Sequence, residues 1–172
     1  MNTIALVGNP NSGKTTIFNA LTGANQHVGN WPGVTVEKKE GKFEFKGNKY
    51  NVVDLPGTYS LGAFSEDEIV ARDFILKSNP DIVINVVDAT NIERNLYLTT
   101  QLLEMGAKVV VALNMIDEAE KRKIKFDLNR LSKELGAPVI PTIAAKRKGI
   151  NELIKQSVEL INQDVKPKTQ IS

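Results

Sequence analysis

The segment GNPNSGKT at residues 8–15 constrains the fold of this chain more than any other stretch. It fits the pattern G-x-x-x-x-G-K-[ST], in which two glycines let the backbone turn and approach a phosphate group closely. Residues 4–7 precede it as a buried strand would, and Ile17, Phe18 and Leu21 follow it on one face of a helix. This order aims backbone N–H groups and a helix N-terminus at phosphate. We therefore expect a phosphate-binding loop in an α/β fold.

Strand patterns and helix patterns alternate along the rest of the chain. Ser65–Glu68 is a capping box that predicts a helix continuing to about Lys77. Apolar strand-like runs then precede amphipathic helical ones in three pairs, at 81–87 and 91–105, at 108–113 and 127–135, and at 138–142 and 149–162. Such alternation is typical of an α/β fold, in which ligands bind at the carboxyl ends of the strands.

A hairpin completes the predicted sheet. Residues 39–46 alternate apolar and charged side chains, Gly47 and Asn48 are typical of a tight turn, and an apolar strand returns and ends at Asp54. Before the hairpin, residues 24–38 lack helical periodicity and predict a long mobile loop, which is often functional at this length. We therefore predict a six-stranded, mostly parallel sheet with one antiparallel strand and helices on both faces.

Length and composition limit the possibilities. The 172 residues suit one domain, which we place at 1–163, followed by a polar tail at 164–172. Cysteine is absent and His27 is the single histidine, so disulfides and thiolate metal sites are excluded. The net charge of +2 argues neither for nor against nucleic acid, nothing in the sequence suggests a basic binding stripe, and we expect no nucleic acid partner. No apolar run approaches the ~20 residues that cross a bilayer, so we expect the chain itself to be soluble.

The phosphate loop supplies most of the predicted binding residues. Lys14 would reach the outer phosphates, and the hydroxyl of Thr15 would ligate Mg²⁺. The predicted nucleotide-binding residues of this segment are Asn9, Pro10, Asn11, Ser12, Gly13, Lys14, Thr15 and Thr16. A chance glycine turn is the alternative, and the flanking strand and helix make it a minor one.

A second motif, Asp54-Leu55-Pro56-Gly57, follows the returning strand of the hairpin. Asp54 can hold Mg²⁺ through a water molecule, and the N–H of Gly57 can donate to the γ-phosphate. Taken alone the pattern D-x-x-G is weak, but its place at a strand end beside the phosphate loop strengthens it. Thr35, in the long loop, can add a second hydroxyl ligand to Mg²⁺ when the γ-phosphate is present, although a loop threonine is most often a surface residue.

Two further strand ends carry residues that suit a guanine base. Asn114-Met115-Ile116-Asp117 follows one strand, and the carboxylate of Asp117 can accept hydrogen bonds from N1–H and the 2-amino group of guanine. Adenine lacks that pair of donors. Ala144-Ala145-Lys146 follows the last strand, where the N–H of Ala145 can donate to guanine O6, although most such stretches are ordinary turns.

In this order the motifs resemble those of a Ras-like GTPase over nearly the whole chain. Three segments, GNPNSGKTT at 8–16, VGNWPGVTVE at 28–37 and DLPGTYSL at 54–61, are similar to the N-terminal GTPase domain of the FeoB family, the prokaryotic ferrous iron transporters. The resemblance implies a Ras-like P-loop fold that binds GTP and GDP and hydrolyses GTP slowly with Mg²⁺.

The same resemblance implies a larger protein. Members of the family fuse this domain to a helical region and a polytopic membrane domain, so the chain would be a fragment. It would lie at the cytoplasmic face of the cell membrane and regulate the import of Fe²⁺, and a homo-oligomer is compatible with this arrangement.

Three positions depart from the usual GTPase pattern. Met115 stands where a lysine usually covers the base, Ala144 replaces a serine, and Thr58 replaces the glutamine that orients water. A thioether can cover an aromatic face much as a lysine stem does. The alternatives are a soluble GTPase of ribosome or tRNA metabolism, a guanine-nucleotide sensor without useful turnover, and an ATPase or nucleotide kinase, which Asp117 disfavours.

A cation is still needed beside the charge that develops between the β- and γ-phosphates. The first arginine is Arg72, so neither long loop supplies one. The side-chain carbonyl of Asn11 can coordinate K⁺ instead, since GTPases that resemble this chain and have asparagine there are potassium-activated. The alternative is that Asn11 only caps the turn, which is the commoner role of a loop asparagine. The predicted catalytic residues are therefore Asn11, Lys14, Thr35 and Gly57, with a partner's arginine as the alternative source of charge.

Overall fold

A seven-stranded sheet with helices on both sides forms the described part of the chain, residues 1–163 of the computed structural model. The tail predicted at 164–172 lies outside the described residues. The strands are β1 (Asn2–Gly8), β2 (Gln26–Asn30), β3 (Glu37–Phe45), β4 (Asn48–Asp54), β5 (Ile82–Asp88), β6 (Val109–Asn114) and β7 (Val139–Pro141). The α-helices are α1 (Lys14–Thr22), α2 (Glu66–Asp73), α3 (Ile92–Glu104), α4 (Ile116–Lys121), α5 (Leu128–Leu135) and α6 (Ile150–Gln163). Within this range, no helix has the length and apolar character to cross a membrane.

The strand order, β2-β3-β4-β1-β5-β6-β7, places β1 at the centre of the sheet. β3 runs antiparallel to both β2 and β4, and every other neighbouring pair is parallel. The chain first extends the sheet on one side of β1 and then continues on the other side through β5. The carboxyl ends of β1 and β5 therefore flank the point where the strand order reverses, which is where open α/β sheets bind ligands.

The core is divided by the sheet into two apolar clusters. Ile4 and Leu6 of β1 belong to the cluster covered by α1 and α6, whereas Ala5 and Val7 belong to the cluster covered by α2, α3 and α5. Successive strand residues point to opposite faces, and all four of these side chains are completely buried. Burial of a Leu or Ile side chain contributes about 1.5–3 kcal/mol. The predicted α/β class, with helices on both faces and one antiparallel strand, is confirmed.

The sheet has one strand more than the sequence predicts. β2 lies within residues 24–38, a segment predicted to be a loop. All five of its residues are exposed and Val28 is its single apolar side chain, so no hydrophobic alternation marks it as a strand. The strand forms because its backbone pairs with β3, from Gln26 opposite Gly41 onward.

The hairpin turn between β3 and β4 lies one residue earlier than predicted. Lys46 and Gly47, not Gly47 and Asn48, form the turn, with φ angles of 52° and 82°. Positive φ at both central residues is the geometry of a type I′ turn. The rings of Phe43 and Tyr50 face each other across the hairpin with centroids 5.2 Å apart, and their stacking supports this register.

The helix predicted from Ser65 to Lys77 forms in two parts. Its start is confirmed, because the Ser65 hydroxyl accepts the N–H of Glu68 at 3.2 Å. The α-helical geometry ends at Asp73, and Phe74–Ser78 continue as a π-helical turn. Such turns occur frequently at functional sites and have no simple signature in hydrophobic periodicity.

Candidate functional site

The phosphate loop occupies the carboxyl end of β1, where the strand order reverses. β1 ends at Gly8 and α1 begins at Lys14. A Cβ on Gly8 would lie 2.8 Å from the carbonyl oxygen of Val86. A Cβ on Gly13, whose φ is 95°, would lie 2.1 Å from Asn114 Nδ2. The packing of the loop against Val86 and Asn114 therefore requires glycine at both positions.

A cleft of about 610 Å³ opens beside this loop. Its wall combines residues of the phosphate loop, the D-x-x-G motif, the predicted guanine motif and α2, namely Asn9, Pro10, Asn11, Gly13, Lys14, Thr15, Gly57, Asp67 and Met115. All of these except Asp67 are residues that the sequence assigns to nucleotide binding. The structure thus brings residues from three separate motifs together around one concave surface.

Two side chains of the loop are buried without a hydrogen-bond partner among the described residues. Asn9 is 4% exposed and neither end of its amide is paired, and the hydroxyl of Ser12 is unpaired at 1% exposure. Leaving a buried polar group unpaired costs about 1–3 kcal/mol. Asn9 lines the cleft, so a polar ligand or water there could pair with its amide, which fits a loop that receives phosphate.

Lys14 and Asp54 form an ion pair beside the cleft. Asp54 ends β4, the strand paired with β1, and the side chains of Lys14 and Asp54 are only 11% and 6% exposed. Burial raises the pKa of the Asp54 carboxyl above its ordinary value, and the Lys14 ammonium lowers that pKa only in part. The pair holds together the positive charge predicted to meet phosphate and the carboxylate predicted to serve Mg²⁺.

Asn114 connects three segments of the predicted guanine side. Its amide nitrogen donates to the carbonyl of Ser12 at 3.0 Å. Its Oδ1 accepts from the hydroxyl of Thr142 and from the N–H of Ala144, both at 3.0 Å. Asn114 therefore fixes the phosphate loop to the loop that follows β7. The hydrogen bond from its N–H to Asn114 Oδ1 anchors Ala144 through the backbone, although Ala144 lacks the serine hydroxyl that is usual at this position.

The other predicted base-binding residues lie on the two loops that Asn114 joins. Met115 has a φ of 62° and lines the cleft. Asp117 is half-buried and its Oδ1 accepts the N–H of Glu118 at 2.9 Å. Ala144–Lys146 form a 3₁₀ turn whose last two residues are exposed. Of this group only Met115 belongs to the wall of the 610 Å³ cleft.

Thr35 does not line the cleft that Lys14 and Thr15 share. It is exposed on the turn between β2 and β3, which is closed by a hydrogen bond of 2.9 Å from the N–H of Trp31 to the carbonyl of Val36. The predicted role of Thr35 as a Mg²⁺ ligand therefore requires this turn to move.

Trp31 anchors the same turn to the neighbouring helical segment. Its ring meets the ring of Phe74 edge-on, with centroids 5.6 Å apart, and the Lys38 ammonium lies 4.7 Å from the indole ring. The indole N–H is buried and has no partner among the described residues. The anchor thus combines a contact between two rings and a cation–π contact with one buried, unpaired donor.

Asp67 is a residue of the cleft that no sequence motif singles out. It lies in the first turn of α2, inside the Ser65–Glu68 capping box, where an acidic side chain is already explained by the helix dipole. The run of three acidic residues at 66–68 was the available signal. The sequence does not show that the start of α2 lies beside the cleft, because that position depends on tertiary packing.

The chain is similar to one protein family over most of its length. The family model described as ferrous iron transport protein B matches residues 2–157. Fe(2+) transporter FeoB of Salmonella typhimurium is 54% identical over 164 residues, which cover 93% of this chain and 21% of that protein. Fe(2+) transporter FeoB of Escherichia coli strain K12 is 56% identical over 155 residues, which cover 88% of this chain and 20% of that protein. The chain thus spans about a fifth of the length of these relatives.

Solved structures with the same fold carry similar sequences. The cytosolic domain of T. maritima FeoB in a GDP form matches with a TM-score of 0.93 at 51% identity, covering 96% of this chain and 65% of that one. The G-domain of Methanococcus jannaschii FeoB matches with a TM-score of 0.84 at 54% identity, covering 94% of this chain and 99% of that one. The T. maritima domain in a GMPPNP form matches at 0.89 and 53% identity, covering 92% and 63%. The predicted Ras-like P-loop fold is confirmed.

Proposed function

The chain belongs to the ferrous iron transport protein B (FeoB) family, and we propose that it binds guanine nucleotides and hydrolyses GTP as the regulatory domain of an Fe²⁺ transporter. The convergence of Lys14, Thr15 and Gly57 on one cleft, with Asp54 paired to Lys14 beside it, carries this proposal. These are the groups that handle the outer phosphates in P-loop GTPases. The GDP and GMPPNP forms of the T. maritima FeoB domain support it.

Phosphate binding would redistribute the charges of the buried ion pair. The outer phosphates attract the Lys14 ammonium away from Asp54, and the Asp54 carboxylate then gains a different cationic partner. Oxygen donors suit magnesium, and the hydroxyl of Thr15 with the carboxylate of Asp54, acting through water, would hold Mg²⁺ and thereby neutralise charge on the β- and γ-phosphates. Thr35 would complete the set once its turn closes.

In the hydrolysis that we propose, water attacks the γ-phosphorus, the bond to the β–γ bridging oxygen breaks, and GDP and phosphate leave. The N–H groups of the phosphate loop and of Gly57 would hold the phosphate oxygens in place. Thr58 does not replace the usual glutamine, because its side chain is buried and its hydroxyl donates to the carbonyl of Ser60 at 2.7 Å. We therefore expect slow intrinsic turnover.

Selection of guanine would rest on Asp117. Its carboxylate can accept two hydrogen bonds from guanine, from N1–H and the 2-amino group, and adenine lacks this pair of donors. Met115, at the wall of the cleft, can cover the base. The loop of Ala144, Ala145 and Lys146 would close the other edge of the base, held by the bond from Ala144 to Asn114.

Asn11 would supply the extra positive charge indirectly, by coordinating K⁺ through its side-chain carbonyl. Asn11 is exposed, lines the cleft and has a φ of 66° in the phosphate loop. A cation there stabilises charge in the transition state as an arginine finger does. Capping of the turn is the simpler role for this asparagine.

Single-turnover GTP hydrolysis in Mg²⁺ tests both the activity and this role. Replacing Na⁺ with K⁺ at constant ionic strength should raise the rate by roughly tenfold or more, because a cation at this position stabilises the developing charge. Asn11→Ala and Asn11→Gly should both lose the stimulation and keep GDP affinity, and the glycine variant removes the strain of alanine at positive φ. A wild-type rate indifferent to the cation would shift the charge to a partner's arginine.

The remainder of the proposal concerns the whole transporter. We place this domain at the cytoplasmic face of the cell membrane, joined to a helical region and a polytopic membrane domain, with Fe²⁺ as the cargo of the full protein and a homo-oligomer as its possible assembly. A soluble GTPase of ribosome or tRNA metabolism is not favoured, because the relatives are Fe(2+) transporters. A pure nucleotide sensor would release no phosphate in the single-turnover experiment.

A further inference from the structure

We propose that Arg94 of α3 is a positioning residue for GTP hydrolysis and that it acts through the ring of Tyr59. Tyr59 lies in residues 55–64, which follow β4 and are called the β4 loop below. The inference rests on the proposed GTPase function and concerns how this loop is held against the phosphate loop.

The β4 loop is fastened by its backbone at two points. The N–H of Thr58 donates to the carbonyl of Gly8, at the start of the phosphate loop, at 3.0 Å. The N–H of Leu61 donates to Gln101 Oε1 on α3 at 2.8 Å. Gly57, whose N–H is proposed to meet the γ-phosphate, lies directly before the first of these contacts.

Arg94 makes a third contact between the two fastened points. Its guanidinium carbon lies 4.1 Å from the centre of the Tyr59 ring, within cation–π distance. Arg94 and Gln101 are seven residues apart on α3, which is two helical turns, so both side chains leave the same face of the helix. Within residues 1–163 the guanidinium of Arg94 forms no ion pair, and it contacts the ring of Tyr59 instead.

The contact also borders the phosphate loop. Tyr59 and Arg94 form one side of a pocket of about 170 Å³, and residues 9–11 form another side. Asn9, with its buried and unpaired amide, belongs both to this pocket and to the nucleotide cleft. Tyr59 therefore faces the loop that receives the phosphates, and the hydrogen bond from Thr58 to Gly8 joins its own loop to that loop.

Loss of the contact should affect hydrolysis and leave GDP binding unchanged. GDP lacks the γ-phosphate that the Gly57 N–H would meet, whereas the transition state depends on the exact placement of that group. A cation–π contact between a half-exposed ring and an exposed guanidinium is modest, so we expect the rate to fall by about two- to fivefold.

A double-mutant cycle tests this inference. Arg94→Ala, Tyr59→Ala and the double variant are compared in single-turnover GTP hydrolysis, with GDP affinity measured by calorimetry and folding checked by thermal unfolding. Each single variant should slow hydrolysis to the same extent, and the double variant should be no slower than either. Tyr59→Phe keeps the ring and should retain the wild-type rate. Arg130→Ala, an exposed arginine of α5 beside Glu134, controls for loss of one positive charge.

The outcomes separate the two proposals. A wild type that binds GDP and hydrolyses GTP, with Arg94→Ala at the same rate, would overturn the role of Arg94 alone. Additive losses in the double variant would also overturn it, since the two side chains would then act independently. A wild type that binds GDP but releases no phosphate would overturn the proposed GTPase function, and the role of Arg94 in hydrolysis with it.

Discussion

Asp54 and Asn114 are both buried at the ends of strands, but they contribute to the site in different ways. Asp54 carries a carboxyl whose pKa is raised by burial, and this carboxyl is paired with Lys14. Asn114 is neutral, and both ends of its amide are satisfied by neighbouring loops. The charge state of Asp54 therefore depends on what lies beside it, whereas Asn114 holds the surrounding loops in a fixed arrangement.

Replacing Lys14 with methionine should destabilise the nucleotide-free protein, increasingly so as the pH rises. Because its pKa is raised, Asp54 binds a proton more tightly in the folded protein than in the unfolded chain. The free energy of unfolding therefore falls as the pH rises from the unfolded pKa to the folded pKa. Removing the ammonium raises that pKa further. We expect a loss of about 3 kcal/mol near neutral pH that shrinks toward about pH 4, measured by urea unfolding across this range.

Two further variants control for the Lys14 experiment. Lys121→Met removes an exposed lysine that lies 3.5 Å from Glu118 and should have little effect at any pH. Adding Asp54→Asn to Lys14→Met removes the unpaired carboxylate and should recover much of the lost stability. A loss for Lys14→Met that is the same at every pH would show that the charge of Asp54 is not its cause.

Asp117→Asn should shift base preference from guanine toward xanthine. An amide donates where the carboxylate accepted, so it loses the match to the guanine 2-amino group and gains one to the xanthine O2. Hydrogen bonds to a charged group are worth about 1.5–3 kcal/mol each, so the ratio of GTP to XTP affinities should change by roughly 10²- to 10⁴-fold. Competition binding measures this ratio, with Asp127→Asn at the cap of α5 as the control. An unchanged ratio would remove Asp117 from the base site.

At the scale of elements, the proposed role of Thr35 as a Mg²⁺ ligand requires the turn between β2 and β3 to move. Its turn carries Thr35 to the surface, and its anchor is the contact of Trp31 with Phe74 at the start of the π-helical turn. This pair of rings therefore connects the turn between β2 and β3 to the segment that follows α2. Closure of Thr35 onto Mg²⁺ should pull Trp31 away from that contact.

The fluorescence of Trp31, the single tryptophan, should report this movement. With GDP the indole should remain packed against Phe74, and with a non-hydrolysable GTP analogue it should become more exposed to water and emit at longer wavelength. Emission spectra of the protein saturated with each nucleotide provide the measurement. If both nucleotides bind and the two spectra coincide, Trp31 is a static anchor and the turn does not respond to the γ-phosphate.

The elements that the sequence predicted well are those whose side chains alternate or repeat. β1, β5 and β6 are buried apolar runs, and Ser65 and Asp127 are helix caps with recognisable partners. β2 was missed because its exposed residues carry no alternation and its stability comes from pairing with β3. The position of Thr35 could not be predicted either, because residue spacing does not determine where an exposed turn lies relative to the phosphate loop.

At the scale of the whole molecule, the sheet topology assembles the site. The three loops that follow β1, β4 and β6 are distant in sequence, and the order β4-β1-β5-β6 brings their starting points to one edge of the sheet. The sequence predicted this convergence because each motif follows a strand, and parallel strands end at a common edge. It did not predict that Asp67 of α2 lines the cleft or that Arg94 of α3 contacts Tyr59 nearby, since both depend on how helices pack across that edge.

The most direct test of a guanine-nucleotide site at this edge is calorimetric titration of the chain with GDP and with ADP in the presence of Mg²⁺. GDP should bind at least about 100-fold more tightly than ADP, because a site that hydrogen-bonds a specific base leaves its own polar groups unpaired when the wrong base binds. Equal affinities for the two nucleotides, or no binding of GDP, would contradict the assignment.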